Sequence, residues 1–246
     1  MKSHLVYSTV KIHNHGQIMD DKNSNYSTVT LEDVKKNPIV DAFIKSANDY
    51  LGSIGYTEHG IRHVSLVASI AQNILLYLDY PKRIQELAGI AGYMHDIGNV
   101  INRRNHGQSA ALMAMRLLKD MGTTPEETAL IISAIGNHEE EVGDSVNPMA
   151  AALILADKSD VHKTRVRNRD VSKYDIHDRV NYAVERSFLR VIKEKRIISL
   201  RLTINTQISQ VMEYFEIFMY RMLVSRRAAS FLDCTFELII NDRKLL

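Results

Sequence analysis

What this chain can fold into is constrained above all by metal-ligand side chains placed on otherwise apolar segments: His63, the adjacent pair His95-Asp96, His106, His138 and Asp157, with His59 four residues before the first of them. Several imidazoles and two carboxylates cannot be buried separately in one core, because each buried polar or charged group costs free energy unless it is paired. A stable fold must therefore bring them to a common centre. Imidazole nitrogen with carboxylate oxygen is the ligand set that suits Zn, Fe, Mn and similar divalent ions. An adjacent His-Asp can offer two ligands from one bend, and the two oxygens of Asp96 could bridge two ions. The residues read as those of a metallohydrolase.

Periodicity predicts that these positions sit on helices and face inward. Thr30, followed by Glu32 and Asp33, is an N-cap with acids in the first turn, and Pro38 opens a helix towards Tyr50. His59, His63, Val67, Ile70, Ala71 and Ile74 recur at three- and four-residue steps, which places both histidines on the buried stripe of one helix. Pro81 starts a helix that runs through Leu87, Ile90, Ala91 and Met94 to His95-Asp96, with Gly98 as its stop. Asn105 or a neighbour starts the next, carrying His106, Ala110, Met113, Ala114 and Leu117 inward. Thr124-Pro125-Glu126-Glu127 is a capping box with proline at the first helical position, leading to Ile131, Ile135 and His138. Pro148 begins an apolar segment in which Met149, Leu153 and Asp157 share a face. A long basic helix is expected to about Lys195. Ile198, Leu200, Leu202 and Ile204 then alternate with polar residues as a half-buried strand does, a helix from about Thr206 to Phe231 follows, and Phe236, Leu238 and Ile240 alternate again. The fold class expected is mainly α, with a small C-terminal strand-helix-strand appendage.

Composition excludes several classes. At 246 residues with 45% apolar content, four prolines and no Trp, the chain can bury a full core. Lys plus Arg exceed Asp plus Glu only by 31 to 29, so no polyanion partner follows from global charge. Lys158, Lys163, Arg165, Arg167 and Arg169 form either a positive rim or a solvated face paired with Asp160, Asp170 and Asp175. No base-reading motif is present, and nucleic acid is not an expected partner. The single cysteine, Cys234, reads as a small buried hydrophobe in a reducing compartment. There is no signal-peptide h-region, and the most apolar long helix carries Glu213, Glu216 and Arg221, so no membrane span and a cytoplasmic location are expected. Residues 1–30 read as a polar arm, with extended structure around Leu5–Ile12 and His13 and His15 as solvated residues. His162 and His177 read as surface residues.

The order His63, His95-Asp96, Asp157 resembles the H…HD…D signature of the HD-domain superfamily of metal-dependent phosphohydrolases, over roughly Tyr56 to Arg190. The local texture agrees in "HVSLVASIA", "MHDIGN" and "ILADKSD". His106 in "NHGQSA" and His138 in "GNHEE" are similar to the extra histidines of its dinuclear branches, which include HD-GYP proteins and diadenosine-tetraphosphate hydrolases. The GYP tripeptide and the Glu-Asp motif of the guanosine polyphosphate hydrolases are both missing from the sequence. The resemblance implies that His63, His95, Asp96 and Asp157 bind a first ion and that Asp96 bridges to a second held by His106 and His138. Such a pair of ions, about 3.5 to 4 Å apart, acidifies a bridging water into a hydroxide nucleophile. His59 resembles the first histidine of the His-x-x-x-His arrangement in mammalian cyclic-nucleotide phosphodiesterases, which implies protonation of the leaving oxygen, the alternative being that it only orders the helix start. Lys158 could reach a substrate phosphate as a point charge or simply be exposed.

The reading is a polar arm at 1–30, an HD-type metal-dependent phosphohydrolase domain at 31–196 and an α/β appendage at 197–246. Its activity is expected to be hydrolysis of a phosphomonoester or phosphodiester, of a nucleotide, with one or two divalent ions (Fe, Mn, Zn or Mg) and a metal-activated hydroxide. The rival is a non-catalytic metal- or nucleotide-binding regulator. A homodimer through the appendage is expected, because its helix places Ile208, Met212, Phe215, Met219 and Met222 on one stripe for its own strands. Ile217, Phe218, Tyr220 and Leu223 then leave a second apolar side, to be covered by another copy or by the preceding domain.

Overall fold

Several helix starts in this protein are written by side chains that satisfy the free N–H groups of the first turn. The computed structural model describes residues 26–140 and 143–246. The expected strand at Leu5–Ile12, with His13 and His15, lies outside them. Thr30 and Asp33 form a reciprocal capping box on α1 (Leu31–Lys36), and Asn37 caps α2 (Pro38–Ser53) with Pro38 at its first position. Thr124 caps α6 (Pro125–Gly136), and Asn147 caps α7 (Pro148–Ser159). Between α2 and α6 lie α3 (Ile61–Tyr77), α4 (Lys82–Met94) and α5 (His106–Asp120).

The bundle is organised around α4, whose residues Leu87 to Met94 are all buried and which packs against α1, α3, α6 and α7. A helix apolar around its whole circumference has to be central. Two glycines make this packing possible. A Cβ on Gly92 would lie 2.8 Å from the Ala68 Cα of α3, and one on Gly98 would lie 2.1 Å from the His106 carbonyl and 2.4 Å from the Ala110 N–H of α5. Gly98 is therefore required for close approach. It does not stop the chain, which continues as a 3-10 turn, Ile97–Val100.

Three further expectations are corrected by the structure. His59 precedes α3, whose N-cap is Gly60, so it does not ride on the same helix as His63. The long basic helix to Lys195 is replaced by a short α8 (Ile176–Ala183) and a strand β1 (Val184–Ile192). Outward-facing Phe188 and Ile192 are as apolar as the inward Leu189 and Val191, which blurs the alternation that marks a strand. β1 pairs antiparallel with β2 (Ile197–Ile204), so the sheet begins at Val184 and position 197 lies within this hairpin. Then α9 (Val211–Phe231) crosses over to β3 (Thr235–Ile240), parallel to β2, and β4 (Arg243–Lys244) closes the order β1-β2-β3-β4.

The third correction concerns α9. Its buried face is Tyr214, Phe218, Met222, Val224, Ser225, Ala228 and Ala229, whereas Met212 and Met219 are 66% and 47% exposed and Ile208 lies before the helix. The stripe is rotated because α9 packs on α7 as well as on β2 and β3. Burial against two partners fixes its orientation. Cys234 is buried, as a small hydrophobe would be. Among the described residues no helix is long and apolar enough to cross a membrane.

Replacing Gly98 by Ala must push α5 away from the chain carrying His95 and Asp96. We expect a loss of about 1–3 kcal/mol, as overpacking typically costs, read by denaturant unfolding. Wild-type stability in that variant would contradict the close approach.

Candidate metal centre

The candidate ligands arrive from five separate pieces of backbone. His63 sits in the first turn of α3, His95 and Asp96 close α4, His106 opens α5, His138 lies two residues past α6, and Asp157 is in the last turn of α7. The structure brings all of them together. Imidazole centroids are 5.3 Å apart for His63 and His95, 4.9 Å for His95 and His138, and 5.0 Å for His106 and His138.

Each ring is held from behind through Nδ1. His59 Nδ1 donates to the Thr57 carbonyl (2.7 Å), His95 to Gly92 (2.8 Å), His106 to Arg103 (3.0 Å) and His138 to Ile135 (2.6 Å). A carbonyl oxygen can only accept, so in each neutral ring the proton is on Nδ1 and the Nε2 lone pair points away from it. His63 makes the same bond to a carboxylate, Nδ1 to Asp160 Oδ2 at 2.7 Å.

The Nε2 atoms converge on carboxylate oxygens. His95 Nε2 is 3.3 Å and His63 Nε2 3.6 Å from Asp96 Oδ2, while His63 Nε2 is 3.4 Å and His95 Nε2 3.9 Å from Asp157 Oδ1. On the other side, His106 Nε2 is 3.3 Å from Asp96 Oδ1 and 3.1 Å from His138 Nε2. The two oxygens of Asp96 thus face different histidines. Asn99, fully buried, donates to Asp96 Oδ1 at 2.9 Å and fixes the carboxylate plane. Acceptors facing acceptors leave His63 Nε2, His95 Nε2 and Asp96 Oδ2 buried without a hydrogen-bond partner. Such atoms are costly unless a cation sits between them. His63, His95 and Asp157, and His95, Asp96 and His138, are two groups that could each hold a metal ion.

Electrostatics point the same way. Burial drives His59 and His138 well below the ordinary imidazole pKa, keeping them neutral. Burial would raise the Asp96 and Asp157 carboxyls, but His95 and His106 around Asp96, and Lys158 and His63 around Asp157, hold both well below the usual range. Burial also disfavours a charged His63 or His106. The carboxylates of Asp157 and Asp160 overcome this for His63, those of Asp96 and Glu139 for His106, and both are raised. The buried carboxylates thus favour positive charge among these rings, a demand that a bound cation could meet in place of protons on His63 and His106.

The remaining expected residues are distributed differently. His59 is buried with its ring 5.3 Å from that of His63, at the edge of the cluster. Lys158 is 6% exposed, with Nζ 2.5 Å from Asp157 Oδ2 and 3.6 Å from Glu140 Oε1, so its charge is directed at the carboxylate of a candidate ligand. The basic rim dissolves. Arg165 is buried and donates to the Asp160 and Glu58 carbonyls, and Arg167 donates to the carbonyls of Tyr56 and Asn48. His162 binds Thr164 and the Glu185 carbonyl, and His177 is exposed.

Sequence reasoning missed Asp160, which orients His63 and is itself held by Arg62 at 2.8 Å. It also missed Asn99, and Glu139, which lies 3.4 Å from His106 Nδ1. Only the proximity of Asp160 to Asp157 in "ADKSD" hinted at a role. Arg103, half-buried beside the cluster, lies 3.3 Å from Asn99 Oδ1 and 3.4 Å from His106 Nε2, with its guanidinium 5.3 Å from the centroid of the exposed Tyr56 ring.

Comparison with known proteins agrees with this geometry. Residues 60–180 match the family model described as HD domain. The chain is also similar to a protein of Methanocaldococcus jannaschii titled "Uncharacterized protein MJ1020", at 28% identity over 191 residues, covering 68% of this chain and 73% of the relative.

Because Asp160 orients the candidate ligand His63 from behind, Asp160→Asn should weaken divalent-metal affinity by about 10- to 100-fold, as loss of such supports typically does. Competition with a chromogenic chelator reads this directly. Unchanged affinity would show that His63 needs no carboxylate behind it.

Proposed function

Because the chain belongs to the HD-domain superfamily, whose members are mostly metal-dependent hydrolases, we propose that it is a divalent-metal-dependent phosphohydrolase acting on a phosphomonoester or phosphodiester of a nucleotide. The observation that carries this reading is the set of buried, unpartnered ligand atoms His63 Nε2, His95 Nε2 and Asp96 Oδ2. In the proposal, His63, His95, Asp96 and Asp157 would hold one ion, and Asp96, His106 and His138 would hold a second. Ions bound there would supply positive charge to phosphoryl oxygens and acidify a water.

The protein's own groups supply the rest. Asn99 keeps the Asp96 carboxylate in the plane that serves both sides. Arg103, with no carboxylate within ion-pair distance among the described residues, is placed to take a phosphate oxygen, and Tyr56 beside it offers a face to a base. His59, neutral and holding its proton on Nδ1, presents a bare Nε2 that would first take the proton released by the attacking water and then pass it to the leaving oxygen. Lys158 is assigned here to neutralising Asp157 and Glu140, a different role from contact with substrate. The homodimer remains a proposal, carried now by the exposed Met212, Met219, Tyr220 and Leu223 of α9. A cytoplasmic location is likewise proposed, from the single unpaired cysteine.

Asp96→Ala is expected to lose both ions and all phosphate release, while His106→Ala and His138→Ala each lose about one ion per chain, measured by elemental analysis beside a nucleotide phosphate-release screen. Full metal content in Asp96→Ala would refute the shared ligand. Metal retained in the wild type with no phosphate released from any nucleotide would favour the non-catalytic regulator. His59→Ala should lower turnover by about 10²- to 10⁴-fold on poor leaving groups and much less on a nitrophenyl ester. An equal loss on both would make it a positioning residue.

A further inference from the structure

The sheet has two unlike faces. One buries Ile198, Leu200 and Leu202 of β2 with Phe236, Leu238 and Ile240 of β3. Residues paired across neighbouring strands project to the same side, so the register defines the other face row by row. Phe188 pairs with Arg201, Arg201 with Ile239 and Ile239 with Lys244, a row that crosses all four strands. On either side of it lie Arg186 opposite Thr203, and Arg190 opposite Ser199 and Glu237. Phe188 is 61% exposed, and the three arginines are exposed.

Among the described residues the ion pair on this face is Lys244 with Glu237, and Arg186, Arg190 and Arg201 have no carboxylate within 4.0 Å. Four cations against one carboxylate leave three net positive charges around an exposed aromatic ring. Along β1 the two flanking arginines are about 14 Å apart, four residues of strand, with the ring midway. We propose that this outer face binds single-stranded nucleic acid without base specificity.

The occupant follows from the chemistry. A second copy presenting the same face would set arginines against arginines. An inorganic anion would leave Phe188 unused. An anionic membrane needs a broader exposed apolar surface than Phe188 provides, since Ile192, Ile197 and Ile239 on the same face are half-buried. A single strand offers both parts at once, phosphates for the guanidiniums and an unstacked base for the ring, whereas a duplex keeps its bases stacked. The near-neutral charge of the whole chain conceals the face, which exists only once the register is known. Nothing on it reads base edges, in keeping with the missing recognition motif.

Fluorescence anisotropy of a labelled single strand of about twelve nucleotides, with the full-length protein, tests this. Three phosphate contacts at about 0.7 each give a log–log salt slope near −2, so affinity should fall about twentyfold between 50 and 200 mM salt. Arg201→Gln should reduce the slope by about 0.7. Phe188→Ala should weaken binding roughly 5- to 150-fold, the fold-change equivalent of one stacked base, with the slope unchanged. A matched duplex should bind more weakly. Unfolding midpoints equal to wild type would confirm that both variants are folded, as expected for exposed positions. Absence of binding at low salt, wild-type affinity in both variants, or loss in both variants of binding to phosphatidylserine vesicles but not to the oligonucleotide would each overturn the proposal.

Discussion

The structure depends on one interaction repeated five times: an imidazole Nδ1 tied to an oxygen behind it, so that the opposite nitrogen is forced forward. Four of these oxygens are main-chain carbonyls. For His95 and His138 the carbonyl is three residues back, at the end of a helix where carbonyls lack intrahelical partners. The helix end therefore supplies both the position of the ring and its tautomer. Orientation built from backbone is rigid, and rigidity of this kind is what a site needs to favour one geometry over its neighbours.

The rest of the bundle serves to bring those helix ends together. The buried Leu87–Met94 stretch of α4 fixes the height of His95 and Asp96, glycines at 92 and 98 let α3 and α5 approach without a side chain between them, and α7 brings Asp157 from the far side. The cost of burying two carboxylates and four histidines is offset locally by Asn99, Lys158 and the Asp160–Arg62–Arg165 group. It is left unbalanced at three atoms that all point inward. The appendage is not independent of this arrangement, since Arg221 of α9 pairs with Glu140 at 2.8 Å, beside Lys158.

Much of this was legible in the sequence because it rests on local rules. Caps at Thr30 and Thr124, prolines at Pro38, Pro125 and Pro148 and inward periodicity placed the helices, and the ligand-type residues stood out for being polar on apolar faces. What was not legible depends on contacts distant in the chain. Asp160 matters because of His63, 97 residues away, and the burial of Arg165 follows from its bonds to Glu58, 107 residues away. β1 was hidden because its outer face carries Phe188 and Ile192, and the buried arc of α9 was misjudged because α7, a partner from another part of the chain, shares in covering it.

The central claim is that the inward nitrogens and oxygens form a metal centre. X-ray absorption on the purified protein after reconstitution with manganese, iron or zinc tests it most directly. The account predicts a shell of N/O scatterers at about 2.0–2.2 Å with the multiple-scattering signature of imidazole, and a metal–metal distance of about 3.5–4 Å when two ions are bound. A bound metal lacking imidazole scattering, or protein that retains no metal after dialysis, would contradict it.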